Sequence, residues 1–306
     1  MSSPEVAIVL PLFGNHRAID ALVAVSEAWL RQDVECEVVV AVAGGIAMPP
    51  GWHDRADAAN GRLRIVWADP GSVSAGPLRN LAAAATRAPL LYLGDADVAP
   101  VGDDFLSSAL PLLDGGAVIQ PWMYRMVNAE ELRDVSAFRA PGRSRVCHVH
   151  ADRDGRLVPV SGERFTWAGP NLVLVDPPAA YRRLDGDGRP WSVPPFHWGG
   201  VLLDRAVFDA VGRYCTRYVG WGCEDDDLIA KLEGLVPVRR AWLEDRHVAC
   251  VHFEHPRTHT TIGPMANRKI LAQRLAAGVE SMIEEDRIDN LVAGDSSGQG
   301  APHGSM

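Results

Sequence analysis

The chain has 306 residues, which is enough for one large domain, or two fused halves, with a sizeable core. Its hydrophobic fraction of 47% and charged fraction of 23% are typical of a globular protein. The formal net charge of −9, without a cluster of Lys and Arg, argues against binding nucleic acid through its phosphates.

The five cysteines are scattered and form no C-x-x-C pair, which argues against a zinc site or a disulfide framework. This cysteine usage favours a reducing compartment. The first residues lack the basic region of a signal peptide, and no apolar run reaches membrane-spanning length. We therefore expect a cytoplasmic protein without a membrane span.

Strands and helices are predicted to alternate through residue 113. Apolar, β-branched runs predict strands over Val6–Leu10, Cys36–Val42, Leu63–Trp67 and Leu90–Leu93. Apolar residues at helical spacing predict helices over Ile19–Leu30, Gly76–Ala85 and Asp103–Leu113. This alternation predicts an α/β fold with a mostly parallel sheet and helices on both of its faces. Ligands of such sheets lie at the carboxyl ends of the strands.

The second half is less regular. Residues 125–195 are rich in Arg, Pro and Gly, with short strands at Val146–Val149 and Leu172–Val175, and we interpret them as an irregular insertion that shapes an acceptor site or contacts a partner. The elements predicted after it are a strand, a helix, a strand and an amphipathic helix, over Val201–Leu203, Arg205–Val211, Val248–Phe253 and Asn267–Glu285. From Ala293 the Gly- and Ser-rich tail is expected to be disordered.

Two acidic stretches follow regular elements. Asp95-Ala96-Asp97 ends the apolar run of Pro89–Gly94, and Glu224–Asp227 follows a Trp-Gly-x turn and leads into a helix. Neighbouring carboxylates repel unless solvent, a helix N-terminus, a metal or a proton offsets their charge. An isolated acidic run is most often an exposed first helical turn. Two such sites, each at the end of an element, instead predict a metal site facing a general base.

The order of these motifs resembles that of the GT-A glycosyltransferases. The chain has Pro11 at the end of its first strand, Gly-x-x-Arg-Asn at Gly76–Asn80, Asp-x-Asp at Asp95–Asp97, Trp-Gly-Gly at Trp198–Gly200 and Trp-Gly-x-Glu-Asp-x-Asp-Leu at Trp221–Leu228. The last motif resembles the Gly-Trp-Gly-x-Glu-Asp of the β-1,4-galactosyltransferases, chondroitin polymerases and polypeptide N-acetylgalactosaminyltransferases. The resemblance covers roughly two thirds of the chain.

The resemblance implies a GT-A-like, Rossmann-like fold whose acceptor-side half is irregular. It divides the chain into a nucleotide-sugar half (1–124), the insertion (125–195), an acceptor and catalytic half (196–266), a C-terminal helix (267–292) and a tail (293–306). The implied activity is metal-dependent, hexosyltransferase-type sugar transfer from a nucleotide sugar, with a UDP-sugar and inversion favoured. The acceptor, a saccharide, a natural product or a peptide, stays open.

The same resemblance assigns a metal site. Asp97 would ligate the cation, and Asp95 would reach the ribose, the metal or a metal-bound water. His252 resembles the late metal- or diphosphate-binding His of these families, with His255 as the alternative. Oxygen ligands with one imidazole suit Mn²⁺ or Mg²⁺. Because a single His at a strand end is usually structural, both interpretations of His252 stay open.

The acidic run would supply the catalytic groups. By resemblance Asp225 is the general base of an inverting transfer, and Glu224 holds an acceptor hydroxyl. Crowding within the run should raise a pKa of the cluster toward neutrality. Asp226 and Asp227 are interpreted as helix-start charges or packing links.

The resemblance places the nucleotide at the N-terminal half. Pro11, Leu12 and Phe13 should lie beside the base and ribose. Arg79 should meet phosphate or nucleotide at a helix N-terminus, the alternative being a solvent-exposed helix Arg.

The Trp-Gly motifs complete the assigned binding residues: Trp198 and Gly200, and Trp221. Both Trp side chains could stack on sugar faces, and for Trp221 an ordinary packing role is an equal alternative.

Two departures and two other functions remain. The run Ala41–Gly44 lacks the Asp that many GT-A enzymes place after the second strand, which leaves the base uncertain, and Cys223 stands where Gly is usual. A non-catalytic nucleotide-sugar or carbohydrate-binding protein is one alternative. A sugar-1-phosphate nucleotidylyltransferase ranks lower, because Pro11–Asn15 is not the Gly-rich, basic loop of those enzymes.

Overall fold

The computed structural model describes a subset of the chain, and all structural statements concern that subset: residues 4–13, 18–69, 74–127, 147–151, 157–159, 171–174, 182–184, 190–192, 199–240, 248–253 and 262–296. Of the residues singled out in the sequence, Trp198 and His255 lie outside it, as does most of the 125–195 insertion.

The central element is a sheet of seven described strands in the order β14-β6-β13-β4-β1-β2-β3. Its strands are β1 (Val6–Leu12), β2 (Cys36–Val42), β3 (Leu63–Trp67), β4 (Leu90–Leu93), β6 (Val118–Gln120), β13 (Val201–Asp204) and β14 (Val238–Arg240). β1, β2, β3 and β4 pair in parallel, as do β6 and β14, whereas β13 runs antiparallel to both of its neighbours. The predicted mostly parallel sheet is confirmed.

Helices cover both faces of this sheet, as predicted. They are α1 (Ala18–Leu30), α2 (Trp52–Ala58), α3 (Ala75–Ala84), α4 (Phe105–Ala109), α5 (Arg205–Ala210), α6 (Glu224–Leu235), α7 (Ile262–Ala277) and α8 (Val279–Ser296). Alternate residues of β1 explain the two layers. Ile8 and Leu10 pack with α1, and Ala7 and Val9 pack with α3 on the other face. All four are buried, which is why this strand is apolar throughout rather than alternating.

A second sheet was not predicted. Its described strands, in the order β5-β15-β7-β10-β8-β9, are β5 (Val98–Pro100), β15 (Ala249–Phe253), β7 (Trp122–Val127), β10 (Asn171–Leu174), β8 (Cys147–Ala151) and β9 (Leu157–Pro159). A further hairpin joins β11 (Arg182–Leu184) to β12 (Pro190–Ser192). The described parts of the 125–195 insertion are thus strands, and the boundary expected at 124/125 falls inside β7.

Two predicted helices have different bounds. The helix expected over Asn267–Glu285 is two helices, because α7 ends at Ala277 and Gly278 has a φ of +90°. The helix expected over Asp103–Leu113 begins at Phe105 and tightens into a 3₁₀ turn over Leu110–Leu113. In the described ranges, no helix is long and apolar enough to span a membrane.

Candidate functional site

Arg79 joins the two acidic stretches. Its Nη1 donates to Oδ1 of Asp225 at 3.0 Å, and its Nη2 donates to Oδ1 of Asp95. Its Nε donates to the carbonyl of Gly94 at 3.1 Å, at the end of β4. Two carboxylates that are 130 positions apart in the sequence therefore share one guanidinium, at the carboxyl edge of the sheet.

The local sequence of α3 explains this position. Gly76 lets the helix approach the chain closely at Tyr214, since a Cβ there would lie 3.2 Å from that residue's Cβ. Asn80 bonds both the N–H and the carbonyl of Tyr214, at 3.0 and 2.9 Å. The Tyr214 ring is thereby held with its centroid 5.1 Å from Cζ of Arg79. The Gly-x-x-Arg-Asn pattern thus serves close packing as well as charge.

The surroundings of the Arg79 side chain differ from those expected from the sequence. Its side chain is wholly buried, and its hydrogen bonds go to protein oxygens rather than outward. It is neither a solvent-exposed helix Arg nor placed to meet a phosphate directly. Burial acts to lower the pKa of Arg79, but the charges of Tyr214 and then of Asp225 and Asp95 hold that pKa well above its ordinary value. Arg79 therefore holds Asp95, Asp225 and the end of β4 together.

Asp225 lies in the first turn of α6 and is partly exposed. Its Oδ1 also accepts a hydrogen bond from the Tyr214 hydroxyl at 3.3 Å. A Cβ on Gly199 would lie 2.8 Å from Oδ2 of Asp225, so only glycine leaves room for this carboxylate beside the start of β13. The adjacent Gly200 is likewise buried. Three separate segments thus fix the orientation of Asp225.

Glu224 has a different environment from its neighbour. The residue is 4% exposed, and its Oε2 is buried without a hydrogen-bond partner. Burial, and then the charge of Asp225, raises the pKa of Glu224 from 4.5 to about 8. The rise expected for the cluster thus falls on Glu224, and burial contributes more than crowding. Adjacent carboxyl groups in unlike environments can hold a proton and accept one, respectively.

Asp97 and His252 meet across the second sheet. β5 and β15 pair antiparallel with Val98 opposite His252, which brings Nε2 of His252 to 3.6 Å from Oδ2 of Asp97. Their side chains are 7% and 21% exposed for Asp97 and His252 respectively. The structure thus brings together two of the three residues expected to bind a metal. Asp95, the third, directs Oδ1 to Arg79 instead.

The donor chemistry of this pair fits a divalent cation only in part. A separation of 3.6 Å is too long for a hydrogen bond, and a carboxylate and an imidazole are both ligands that Mn²⁺ or Mg²⁺ could use here. In the described part of the chain, no group of three or more His, Cys, Asp and Glu side chains could hold an ion. The remaining positions of a hard cation would fall to substrate oxygens and water, as is usual for Mg²⁺ at phosphates.

The residues expected beside the base lie mostly inside. Pro11 and Leu12 are buried, and Phe13 is half-buried, so among these Phe13 alone offers appreciable side-chain surface. Trp67 was predicted only as the last residue of a strand, and not as part of the site. It aligns with Val42, which aligns with Leu12, so the three occupy one row at the carboxyl edge. Trp67 is 52% exposed at that edge, which is high for so large an apolar side chain. Its place at the end of a predicted strand was the available signal.

Trp221 is 48% exposed, which favours a contact role over packing. The last carboxylate of the run, Asp227, is buried on the other side of α6. Its oxygens accept from Nε and Nη2 of Arg274 at 2.5 and 3.2 Å, and from the Tyr218 hydroxyl at 2.8 Å. Arg274 and Lys231 also bind Asp286 of α8. We call Asp227, Lys231, Arg274 and Asp286 the Arg274 cluster; the packing link expected of Asp227 is this set of contacts.

No protein-family model and no curated protein matches the chain. The crystal structure of GalNAc-T7 with UDP, GalNAc and Mn²⁺ resembles it with a TM-score of 0.55 and 11% identity, over 89% of this chain and 48% of that chain. Lower similarity is found to the mannosyltransferase PcManGT from Pyrobaculum calidifontis in complex with GDP-Man and Mn²⁺ (TM-score 0.46, 13% identity, 99% of this chain and 77% of that chain). S. aureus TarS 1–349 in complex with UDP is similar at TM-score 0.45 and 14% identity, over 89% of this chain and 70% of that chain.

The likeness to GalNAc-T7 supports the fold. The chain spans about half the length of the GalNAc-T7 chain that it matches, and its α/β architecture is that of the GT-A glycosyltransferases.

Proposed function

We propose that this chain is a metal-dependent glycosyltransferase that moves a sugar from a nucleotide-sugar donor, favouring a UDP-sugar, to a hydroxyl or other nucleophile with inversion. The observation that carries the proposal is the bridge from Arg79 to Asp95 and Asp225. It joins an acidic site at the end of β4 to an acidic helix start, at the edge where α/β sheets bind ligands. The GT-A architecture supports the same reaction class.

The donor diphosphate lies, in this proposal, beside Asp97 and His252. These side chains would hold a Mn²⁺ or Mg²⁺ ion, and Asp95, oriented by Arg79, would face the ribose or a metal-bound water. The cation, when bound, neutralises charge that develops on the departing diphosphate. His252 supports this role because it lies opposite Val98 of β5, next to Asp97, the residue that precedes that strand.

The acceptor side is formed by the first turn of α6. Asp225 accepts the proton of the acceptor hydroxyl while the oxygen attacks the anomeric carbon from the face opposite the diphosphate. The new bond is carbon–oxygen, and the bond that breaks joins the anomeric carbon to the diphosphate. Arg79 and Tyr214 hold the orientation of the Asp225 carboxylate. Glu224, which carries a proton near neutral pH, donates a hydrogen bond to an acceptor oxygen.

The nucleobase is proposed to stack on Trp67. The edge row of Leu12, Val42 and Trp67 leads outward from the expected ribose position, and Trp67 is its exposed end. A stacking platform binds any base through its π-face. It therefore suits a chain whose Ala41–Gly44 run lacks a carboxylate to read the base.

The test of the activity uses a panel of nucleotide sugars, with and without Mn²⁺, and measures release of nucleoside diphosphate without an acceptor. We expect metal-dependent release from one donor and its loss in Asp97→Ala and Asp225→Asn. Asp57→Ala is the matched control, because this exposed residue lies on α2, near the amino end of β3. The Asp57→Ala variant should release nucleoside diphosphate at the wild-type rate. Wild-type rates in both test variants would overturn the proposal, and metal-dependent binding without release would favour a binding protein.

The stacking role has a separate test. Trp67→Ala should weaken UDP binding by about 1–3 kcal/mol, the usual loss when an aromatic platform for a base is removed. Calorimetric titration with UDP and Mn²⁺ measures the change in Kd. Trp67→Phe keeps a π-face and should recover most of the affinity. An unchanged Kd in Trp67→Ala would remove Trp67 from the site and leave the proposed activity untouched.

A further inference from the structure

The segment Val219–Gly222 lies directly before the acidic run and has an unusual backbone. Gly220 and Gly222 have φ values of +74° and +100°, and Cys223 follows at +75°. Left-handed conformations are favourable for glycine and costly for other residues, so Cys223 holds this geometry only because its surroundings impose it. The segment belongs to no helix or strand and cannot rely on their hydrogen bonds for its shape.

Ser74 binds the segment from one side. Its hydroxyl donates to the carbonyl of Tyr218 at 2.8 Å and accepts the N–H of Gly220 at 3.1 Å. Ser74 precedes α3 as its N-cap residue but makes no side-chain capping bond to that helix. Its hydroxyl is therefore committed to the segment rather than to the helix that it precedes.

Asn267 of α7 binds the segment from the other side. Its amide nitrogen donates to the carbonyls of Val219 and Gly222, each at 3.0 Å, and its oxygen accepts the N–H of Val219 at 3.2 Å. The residue is 1% exposed. An Asn amide offers a donor and an acceptor side by side, so one side chain closes the segment at both of its ends.

The surface that these buried bonds support is apolar. Val219 is 60% exposed and Trp221 is 48% exposed, and Asp225 lies four residues beyond Trp221. A segment whose backbone is already ordered loses little conformational freedom when a ligand contacts it. An aromatic ring beside an aliphatic side chain suits the C–H face of a sugar ring or another apolar face of an acceptor.

We infer that Ser74 and Asn267 are positioning residues that hold Val219–Gly222 as a preformed acceptor platform beside Asp225. That the platform binds an acceptor rests on the proposed function, whereas its preformed shape rests on the hydrogen bonds alone. Each side chain protects a different amide, since Ser74 receives the N–H of Gly220 and Asn267 that of Val219. This difference makes the two contributions separable.

Amide hydrogen exchange of the full chain, resolved by mass spectrometry with fragmentation, tests the shape. We expect slow exchange at Val219 and Gly220 in the wild type, with and without UDP and Mn²⁺. Asn267→Ala should accelerate exchange at Val219, and Ser74→Ala at Gly220, each by about tenfold or more. Ser74→Thr retains the hydroxyl and should restore protection. Fast exchange in the wild type, or exchange unchanged in both Ala variants, would overturn the inference.

A matched control separates local from general loosening. Asn290→Ala removes another Asn amide that bonds backbone carbonyls, those of Gly212 and Tyr214, and should leave exchange at Val219 unchanged. If Asn267→Ala acted only by loosening the whole fold, Asn290→Ala would accelerate amide exchange at Val219 as well.

The second readout is donor turnover. Asn267→Ala should lower kcat for metal-dependent diphosphate release about tenfold, because the segment leads into Asp225, while the donor KM stays within about twofold. An unchanged kcat with accelerated exchange would refute the link to Asp225. If the wild type released nothing from any donor, the proposed function would fail while the exchange result still decided whether the segment is preformed.

Discussion

Two ion clusters contain carboxylates of the same acidic run, Glu224–Asp227, and they differ in their contacts and burial. Asp225 and Asp227 are two residues apart on α6, so they point about 200° apart around its axis. Asp225 joins Asp95 at the single guanidinium of Arg79, which we call the Arg79 cluster. Asp227 instead enters the Arg274 cluster, where Asp227 and Asp286 meet Lys231 and Arg274, and Arg274 also pairs with the partly exposed Glu285.

The two clusters differ clearly in burial. In the Arg274 cluster the side chains are at most 3% exposed, whereas Asp95 and Asp225 are 35% and 20% exposed. In the Arg274 cluster, Asp227 and Asp286 are enclosed and paired with buried cations of the protein. The two carboxylates of the Arg79 cluster remain partly open to water, so in the proposed function they can orient a substrate or receive a proton. The same residue type would then serve the fold on one side of α6 and the chemistry on the other.

The largest expected effect comes from breaking the Arg274 cluster. Asp227→Ala leaves Lys231 and Arg274 buried with one carboxylate fewer, and we expect the free energy of unfolding to fall by about 3–5 kcal/mol. Urea unfolding followed by circular dichroism measures it. A loss below about 1 kcal/mol, the value of an exposed pair, would contradict the cluster's structural role.

The Arg79 cluster should respond in rate more than in stability. Arg79→Met removes the link between Asp95 and Asp225, and we expect diphosphate release to fall about 10²-fold because the carboxylates lose their orientation. The loss of stability should be smaller than for Asp227→Ala, since both carboxylates reach water. Arg79→Lys keeps the charge but not the fork, and should rescue only in part. A wild-type rate in Arg79→Lys would show that charge alone suffices.

Glu224 predicts a pH dependence with a definite sign. Its pKa is about 8 in the folded chain and near 4.5 when exposed, so between these values the folded state holds a proton that the unfolded state has lost. Stability therefore falls as pH rises from about 4.5 to 8. Glu224→Gln removes this contribution, so the stability of the variant relative to the wild type should rise between about pH 4.5 and 8. Melting temperatures of both proteins across this range test it; parallel curves would place the titration elsewhere.

The smallest effect is expected at an exposed pair beside the Arg274 cluster, where Glu285 also contacts Arg274. Arg217 pairs with Glu285 and Asp289 at the surface, and all three side chains are about two-fifths exposed. Arg217→Ala should change the free energy of unfolding by only about 0–1 kcal/mol. In the same urea experiment, Arg217→Ala serves as the reference for Asp227→Ala. If both variants lost the same free energy of unfolding, exposure would not distinguish the energetics of exposed and buried ion pairs here.

The first sheet and its acidic ends were predictable because their signals are local. Short apolar, β-branched runs such as Val38–Val42 are typical of buried strands, and Asp95 follows such a run closely. The start of α6 at Glu224 was likewise readable from four acidic residues before an apolar run. The break at Gly278 had a signal, glycine within an amphipathic pattern, which the helical periodicity around it outweighed.

The second sheet was not readable, since its strands are short and their pairing is non-local. β5 has three residues and pairs with β15, about 150 positions later, and only this pairing brings His252 to Asp97. Sequence could name both residues as metal ligands by resemblance. It could not show that they face each other.

By itself the sequence determined the α/β fold, the two acidic sites and the residue types available for the chemistry, because propensity and hydrophobic pattern act over a few neighbours. Only the tertiary structure decided what each charge does. Arg79 meets partners 16 and 146 positions away, and Asp227 meets Arg274 47 positions away. Whether a charged side chain serves chemistry or packing depends on its burial and its partners, and both arise when distant segments pack together.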